Sequence, residues 1–217
     1  PKGFLFFDTK TETNRVGDAA SLRLRRRGYP PLLFPLPLVS EGMASNFALA
    51  VAAALELGVS ENEIFERLPQ YKPSALRGKW LQGRGNFYYV DCYNANPASM
   101  LDAIRFFQRQ ARDLPQLLTL GGMEELGDEG PRLHQETGSS IKIGPSDKVL
   151  LIGEKAQWMK PGILQAGVEE NSIKSVADVL EAESLVSEFE GAVLLKGSRT
   201  NALETLVPDW ATEEGKM

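Results

Sequence analysis

The segment Asp91-Cys92-Tyr93-Asn94-Ala95-Asn96-Pro97 places a carboxylate, a thiol, a phenol and two amides next to one another. A carboxylate accepts from ligand hydroxyls, and amides read donor and acceptor edges. The position of the segment matters as much as its content. The apolar run Phe87-Tyr88-Tyr89-Val90 before it reads as a buried strand. After Pro97, the spacing of Met100, Leu101, Ile104 and Phe107 is helical. Pro97 suits a first helical turn, where its missing N–H costs nothing. The polar residues therefore lie in a strand-to-helix turn at the C-terminal end of a strand, the edge where open α/β sheets bind ligands.

Three further polar or glycine-rich turns follow apolar runs: Gly121-Gly122-Met123, Gly153-Glu154 and Lys196-Gly197-Ser198-Arg199. In a parallel sheet all would fall on one edge, so one crevice could gather Asp91, Tyr93, Asn94, Asn96, Lys196 and Arg199. Glycines allow close backbone approach, and free N–H groups at helix starts favour anions. The competing reading is that each glycine simply makes a tight turn. There is no Gly-x-x-x-x-Gly-Lys-Ser/Thr loop and no Gly-x-Gly-x-x-Gly after a strand, so the chain has no evident triphosphate cradle. It lacks a Gly-x-Ser-x-Gly elbow, and its one histidine, His134, reads as structural or helix-capping rather than as a general base. Cys92 reads as a packed small residue.

The elements that must position these residues alternate. Strands are expected at 86–91, 116–121, 148–153, 172–176 and 191–196, and helices near 97–111, 130–143, 156–166, 178–189 and 200–207. Apolar strands separated by helices imply an α/β fold with a Rossmann-like, mainly parallel sheet. Upstream, Phe4–Phe7 and Ser21–Arg25 have β character. The prolines at 30, 31, 35 and 37 exclude a helix or a central strand there. A helix is expected from about Ala44 to Leu57, stopped by Gly58. Ser60 with Glu63 forms a capping box for the next. Residues 70–75, with Pro73, read as a linker, giving domains 1–75 and 76–217.

Composition excludes several classes. The net charge of −5 gives no basic excess for nucleic acid. The local cluster Arg23, Arg25, Arg26, Arg27 reads as the solvated face of a strand. No apolar run approaches the ~18 residues of a membrane span, and no signal peptide is evident. One cysteine and one histidine exclude an intramolecular disulfide framework and argue against a zinc site.

Together these motifs resemble the Mur ligase family, in its D-alanyl-D-alanine-adding branch, from about Ser40 to Val207. Asp91 to Pro97 matches Asp-Ser-Tyr-Asn-Ala-Asn-Pro with cysteine for serine. Leu120 to Gly127 is similar to Leu-Gly-Asp-Met-x-Glu-Leu-Gly, His134 and Gly138 to the following His-x-x-x-Gly, and Lys196 to Arg199 to Lys-Gly-Ser-Arg. The resemblance implies an ATP-dependent amide ligation in peptidoglycan precursor synthesis. ATP and Mg would activate the carboxylate of a UDP-N-acetylmuramoyl tripeptide, and the amine of D-alanyl-D-alanine would attack the acyl phosphate. It further implies that Asn46, Arg77 and Asp91 hold ATP. Tyr93, Asn94, Asn96, Lys196, Ser198 and Arg199 would bind substrate, the dipeptide carboxylate suiting Lys196 or Arg199. Met123, Glu125 and His134 would be structural or site-edge residues. A cytoplasmic location follows from the precursor chemistry.

Two residues depart from that pattern: Gly42 replaces a histidine and Gly122 an aspartate. The UDP-substrate domain, the phosphate-binding loop and the Mg-binding glutamate of such ligases have no counterpart in these residues. The expectation is therefore a partial central-domain remnant followed by a whole C-terminal domain, with no catalytic or metal-ligating residues of its own and no ATP turnover alone. Truncated packing is expected to leave apolar surface at Phe4–Phe7 and Phe34, favouring self-association. The alternatives are another Mur- or folylpolyglutamate-type amide ligase, or a non-catalytic nucleotide- or peptide-binding module.

Overall fold

The computed structural model describes residues 8–12, 20–25, 30–36, 39–72 and 74–212. The chain forms two compact units, 1–72 and 73–217. In the first, strands β1 (Asp8–Glu12), β2 (Ala20–Arg25) and β3 (Leu32–Leu36) make an antiparallel sheet in that order. Alternation decides which side chains go inward. Leu22 and Leu24 are fully buried while Arg25 is exposed and Arg23 half-buried. Arg26, Arg27 and Phe4–Phe7 lie outside the described residues.

Strand β3 carries Pro35 on a sheet edge, the position a missing N–H tolerates. Phe34 corrects an expectation. It pairs with Leu22 and is buried, because the two-residue period turns Leu33 outward instead. Helices α1 (Glu41–Glu56) and α2 (Glu61–Arg67) cover the sheet, with Phe47, Ala48, Val51 and Ile64 in the core. Helix α1 starts three residues before Ala44, capped by Ser40, whose side chain accepts from the Met43 N–H at 3.2 Å. The capping box of Ser60 and Glu63 is present.

The second unit is a six-stranded sheet in the order β4-β5-β9-β6-β7-β8. Strands β5 (Asn86–Asp91), β6 (Gln116–Gly121), β7 (Lys148–Ile152), β8 (Ile173–Val176) and β9 (Ala192–Lys196) run parallel to one another. Strand β4 (Lys79–Gly83), unforeseen in the sequence, pairs antiparallel with β5 at the edge. Successive residues serve opposite faces. Tyr89, Leu118, Leu120, Leu151 and Leu194 meet α3 (Pro97–Gln110), α4 (Gly130–Ser139), α5 (Glu154–Gln157) and α6 (Lys160–Gln165). Tyr88, Val90, Leu150, Val193 and Leu195 meet α7 (Val179–Ser187) and the turns around Leu203 and Leu206.

Where one helix was expected over 156–166, two short ones form, because Pro161 opens α6 afresh. The helix expected at 200–207 is two 3-10 turns, 199–201 and 203–206, separated by Ala202 with φ of 50°. Gly138 and Gly162 set the crossing of α4 and α6. A Cβ at Gly162 would lie 1.9 Å from the Gln135 carbonyl oxygen.

Candidate functional site

The ends of the parallel strands build one edge. Strand β9 inserts between β5 and β6, so Lys196 lies in register with Asp91 on one side and Leu120 on the other. Gly121 then pairs with Ile152, which precedes Gly153. The antiparallel β4 begins at this same edge, bringing Arg77 there. The Arg77 guanidinium lies 4.1 Å from the centre of the Tyr93 ring, and the Tyr93 N–H donates to the Leu76 carbonyl at 3.1 Å. Leu76, Glu125 and Ala202, three non-glycine residues with left-handed backbone, all lie in loops of this edge. Such strain persists where the surroundings over-determine it.

Lys196 is the centre of the edge. Its side chain is only 2% exposed, and its ammonium lies 3.1 Å from Asp91 Oδ2. It also donates to the Asn94 carbonyl at 2.7 Å. An ammonium this deep requires such partners, since an uncompensated buried charge costs several kcal/mol, on the order of 3–5. The sequence offers Lys196 or Arg199 to a ligand carboxylate. The Lys196 charge is instead turned inward, and it fixes the orientation of Asp91 and of the Tyr93–Asn94 turn. Asp91 is 23% exposed, and its Oδ1 has no other ion-pair partner among the described residues.

Beyond Lys196 the chain ties three loops together. The Ser198 hydroxyl donates to Asn94 Oδ1 at 3.3 Å and accepts from the Glu124 N–H at 3.1 Å. Its own N–H donates to the Gly122 carbonyl at 3.0 Å. Glu124 forms an ion pair with Lys155 of α5 and accepts from the Thr200 hydroxyl at 3.4 Å. Arg199, exposed, pairs with Glu204 at 3.3 Å. Cys92 is buried beneath, 4.0 Å from Glu204. Burial first, then the Glu204 and Asp91 carboxylates, push its thiol up to about 12, so it is no nucleophile.

Asn96 does not face the other site residues through a bond of its own. Its side chain caps α3, accepting from the Ser99 N–H at 2.8 Å, while Ser99 Oγ accepts from the Asn96 N–H at 3.0 Å. His134 is fully buried. The Gly130 carbonyl, 2.7 Å from Nδ1, can only accept, so Nδ1 carries the proton and Nε2 accepts from the Met123 N–H at 2.9 Å. Desolvation holds this imidazole below its ordinary value of 6.5, against the bond to Gly130, which favours the charged form. His134 thus clamps the β6–α4 loop that carries Met123, Glu124 and the exposed Glu125. Asn46 belongs to the first unit, exposed on α1.

The sequence reading missed Glu124, Lys155, Thr200 and Glu204. For Glu124 and Lys155 the available signal was their position within three residues of the ends of β6 and β7; Thr200 and Glu204, in the turns after β9, carried none. Among the described residues, no cluster of three or more His, Cys, Asp or Glu could hold a metal ion, and no helix is long and apolar enough to cross a membrane.

Comparison with known proteins gives relatives for this fold. The profile of the Mur ligase glutamate ligase domain matches residues 76–199. The UDP-N-acetylmuramoyl-tripeptide–D-alanyl-D-alanine ligase of Bacillus subtilis is 27% identical over 180 residues, 81% of this chain and 39% of the relative. Its counterpart in Treponema pallidum is 29% identical over 194 residues, 86% of this chain and 41% of the relative. A crystal structure of MurF from Acinetobacter baumannii superposes with a TM-score of 0.74 at 26% identity, covering 93% of this chain and 43% of that one. The chain thus spans about two-fifths of the length of the curated relatives it matches.

Proposed function

The chain belongs to the Mur ligase family through its glutamate ligase domain, and on that footing we propose that it forms the acceptor end of an ATP-dependent ligase joining D-alanyl-D-alanine to the UDP-N-acetylmuramoyl tripeptide. In this reading residues 1–75 are the end of a central ATPase domain, and 76–217 the C-terminal ligase domain. The observation that carries it is the turn from Asp91 to Asn96, with the dipeptide-branch residues Tyr93-Asn94-Ala95-Asn96 fixed at the ligand edge by Lys196 and Ser198.

The residues present suit the nucleoside end of ATP and not its phosphates. Arg77 stacked on Tyr93 offers a flat cationic surface, and Asp91 Oδ1 offers an acceptor for a ribose hydroxyl. ATP, with Mg, supplies the phosphoryl group that activates the tripeptide carboxylate. This chain has no phosphate-binding loop to stabilise that transfer, so alone it turns over no ATP. Its own residues do the rest: Lys196 orients Asp91 and Asn94, and Ser198 holds the Asn94 and Glu124 loops in register. Arg199 lies exposed at the same edge, paired with Glu204. A reaction on UDP-linked precursors places the protein in the cytoplasm.

The test is a chimaera in which residues 73–217 replace the corresponding part of the Bacillus subtilis ligase. With ATP, Mg, tripeptide precursor and D-alanyl-D-alanine, the expected product is the pentapeptide. A folded chimaera that hydrolyses ATP but forms no peptide bond would overturn the reading.

A further inference from the structure

We propose that Glu124 and Lys155 together receive the two ends of the dipeptide zwitterion, Lys155 taking its carboxylate and Glu124 its ammonium. This rests on the ligase reading and assigns residues within it. Three ion pairs lie along the ligand edge: Asp91–Lys196, Glu124–Lys155 and Glu204–Arg199. Each pair is neutral, so the edge carries alternating charge with no net excess from them. Such a surface discriminates by pattern, favouring a small ligand that carries one charge of each sign over a simple anion.

The three pairs are not equivalent. Lys196 is buried and turned inward onto Asp91 and Asn94, so its ammonium does not face a ligand. Arg199 is 61% exposed, and its partner Glu204 lies beside the buried Cys92. The Glu124–Lys155 pair is both reachable and pre-organised. Glu124 is 27% exposed and Lys155 45%. The Glu124 backbone is pinned by Ser198 Oγ and its Oε1 by the Thr200 hydroxyl. The His134–Met123 bond fixes the preceding residue.

Lys155 is placed by an absence. Its stem lies against Gly122, where an added Cβ would come to 2.8 Å from Lys155 Cβ. A side chain at 122, such as the aspartate of the pattern this segment resembles, would push Lys155 away. The lack of a side chain at Gly122 thus leaves room for Lys155 to lie where it pairs with Glu124.

Valence is left for a ligand. An ammonium has three donors, of which Glu124 takes one. A carboxylate has about four acceptor sites, of which Lys155 and Thr200 take two. Using the free end of each partner spaces the two ligand charges further apart than the pair contact itself. That suits the termini of an extended two-residue chain, roughly 7 Å apart.

The experiment uses the 217-residue chain and amide-resolved NMR titrations with three probes. These are D-alanyl-D-alanine, its C-terminal amide and its N-acetyl derivative. The dipeptide should shift the amides of Glu124, Lys155 and Ser198 to Thr200. Each capped analogue should bind roughly tenfold more weakly, the loss expected for one charge-assisted hydrogen bond. Lys155→Met should abolish the discrimination against the amide and keep that against the N-acetyl form. Glu124→Gln should do the reverse. Both side chains are partly exposed, so spectra away from the edge should be unchanged. Variants that retain both discriminations, shifts centred elsewhere on the edge, or no binding of the dipeptide by the chain would each overturn the assignment. The ligase reading would then still stand or fall by pentapeptide formation in the chimaera, a separate readout.

Discussion

Breaking the Asp91–Lys196 pair from one side should cost far more than breaking it from the other. The charges are 3.1 Å apart, but the side chains are unequally buried, 2% exposed for Lys196 and 23% for Asp91. At an effective dielectric of about 20, the gross attraction is about 5 kcal/mol, much of it offset by desolvation. Asp91→Asn leaves an ammonium with no water and only the Asn94 carbonyl and a neutral amide as partners. That is the uncompensated buried charge, at about 3–5 kcal/mol. Lys196→Met keeps the stem volume and leaves a carboxylate that water can reach, at about 1–2 kcal/mol. The double variant should cost less than the sum of the two, because neither charge is then stranded. All three tryptophans, Trp80, Trp158 and Trp210, lie in the second unit, so fluorescence follows its unfolding alone. Urea midpoints at constant slope give the three energies. At about 3 °C per kcal/mol for a unit of this size, Asp91→Asn should lower the melting temperature by roughly 10 °C. A smaller loss for Asp91→Asn than for Lys196→Met, or strict additivity in the double variant, would refute the buried-pair reasoning.

Three further outcomes follow from the same geometry. The folded-state value of His134 lies below that of the unfolded chain, so the unfolded chain takes up the proton first. Stability from this group is therefore full above pH 6.5 and falls as pH drops below it, and His134→Gln should flatten that slope in pH-dependent urea melts. Asn96→Ala should cost about 1 kcal/mol through loss of the α3 cap. If it weakens dipeptide binding with no change in stability, its capping role is secondary. Cys92, buried with its thiol raised to about 12, should resist a thiol reagent at neutral pH until the unit unfolds. Prompt labelling of the native protein would contradict its placement.

Strands β5, β6, β7 and β9 were legible because each is a short apolar run largely buried, and the polar residues that end β5 and β9, Asp91 and Lys196, mark the edge they share. Strand β4 was not, since all five of its residues are half-buried and carry no alternation. Pro35 disguised β3, although an edge strand tolerates it. The inward turn of Lys196 was hidden for a different reason. Strand β9 is last in sequence but inserts between β5 and β6, and only that placement brings Asp91 and Leu120 to its two sides. Glu124 and Lys155, far apart in sequence, are surface charges of a common kind, and only the fold pairs them.

The most direct test of the dipeptide assignment is acceptor choice. The chimaeric ligase would be offered equimolar D-alanyl-D-alanine, D-glutamate, L-lysine and diaminopimelate with ATP and a UDP-linked peptide acceptor of matched length, and the products weighed by mass spectrometry. The expected result is a single product, extended by the dipeptide, whose formation falls with Asp91→Ala. A product extended by one amino acid, formed in preference to the dipeptide adduct, would contradict the assignment of this edge.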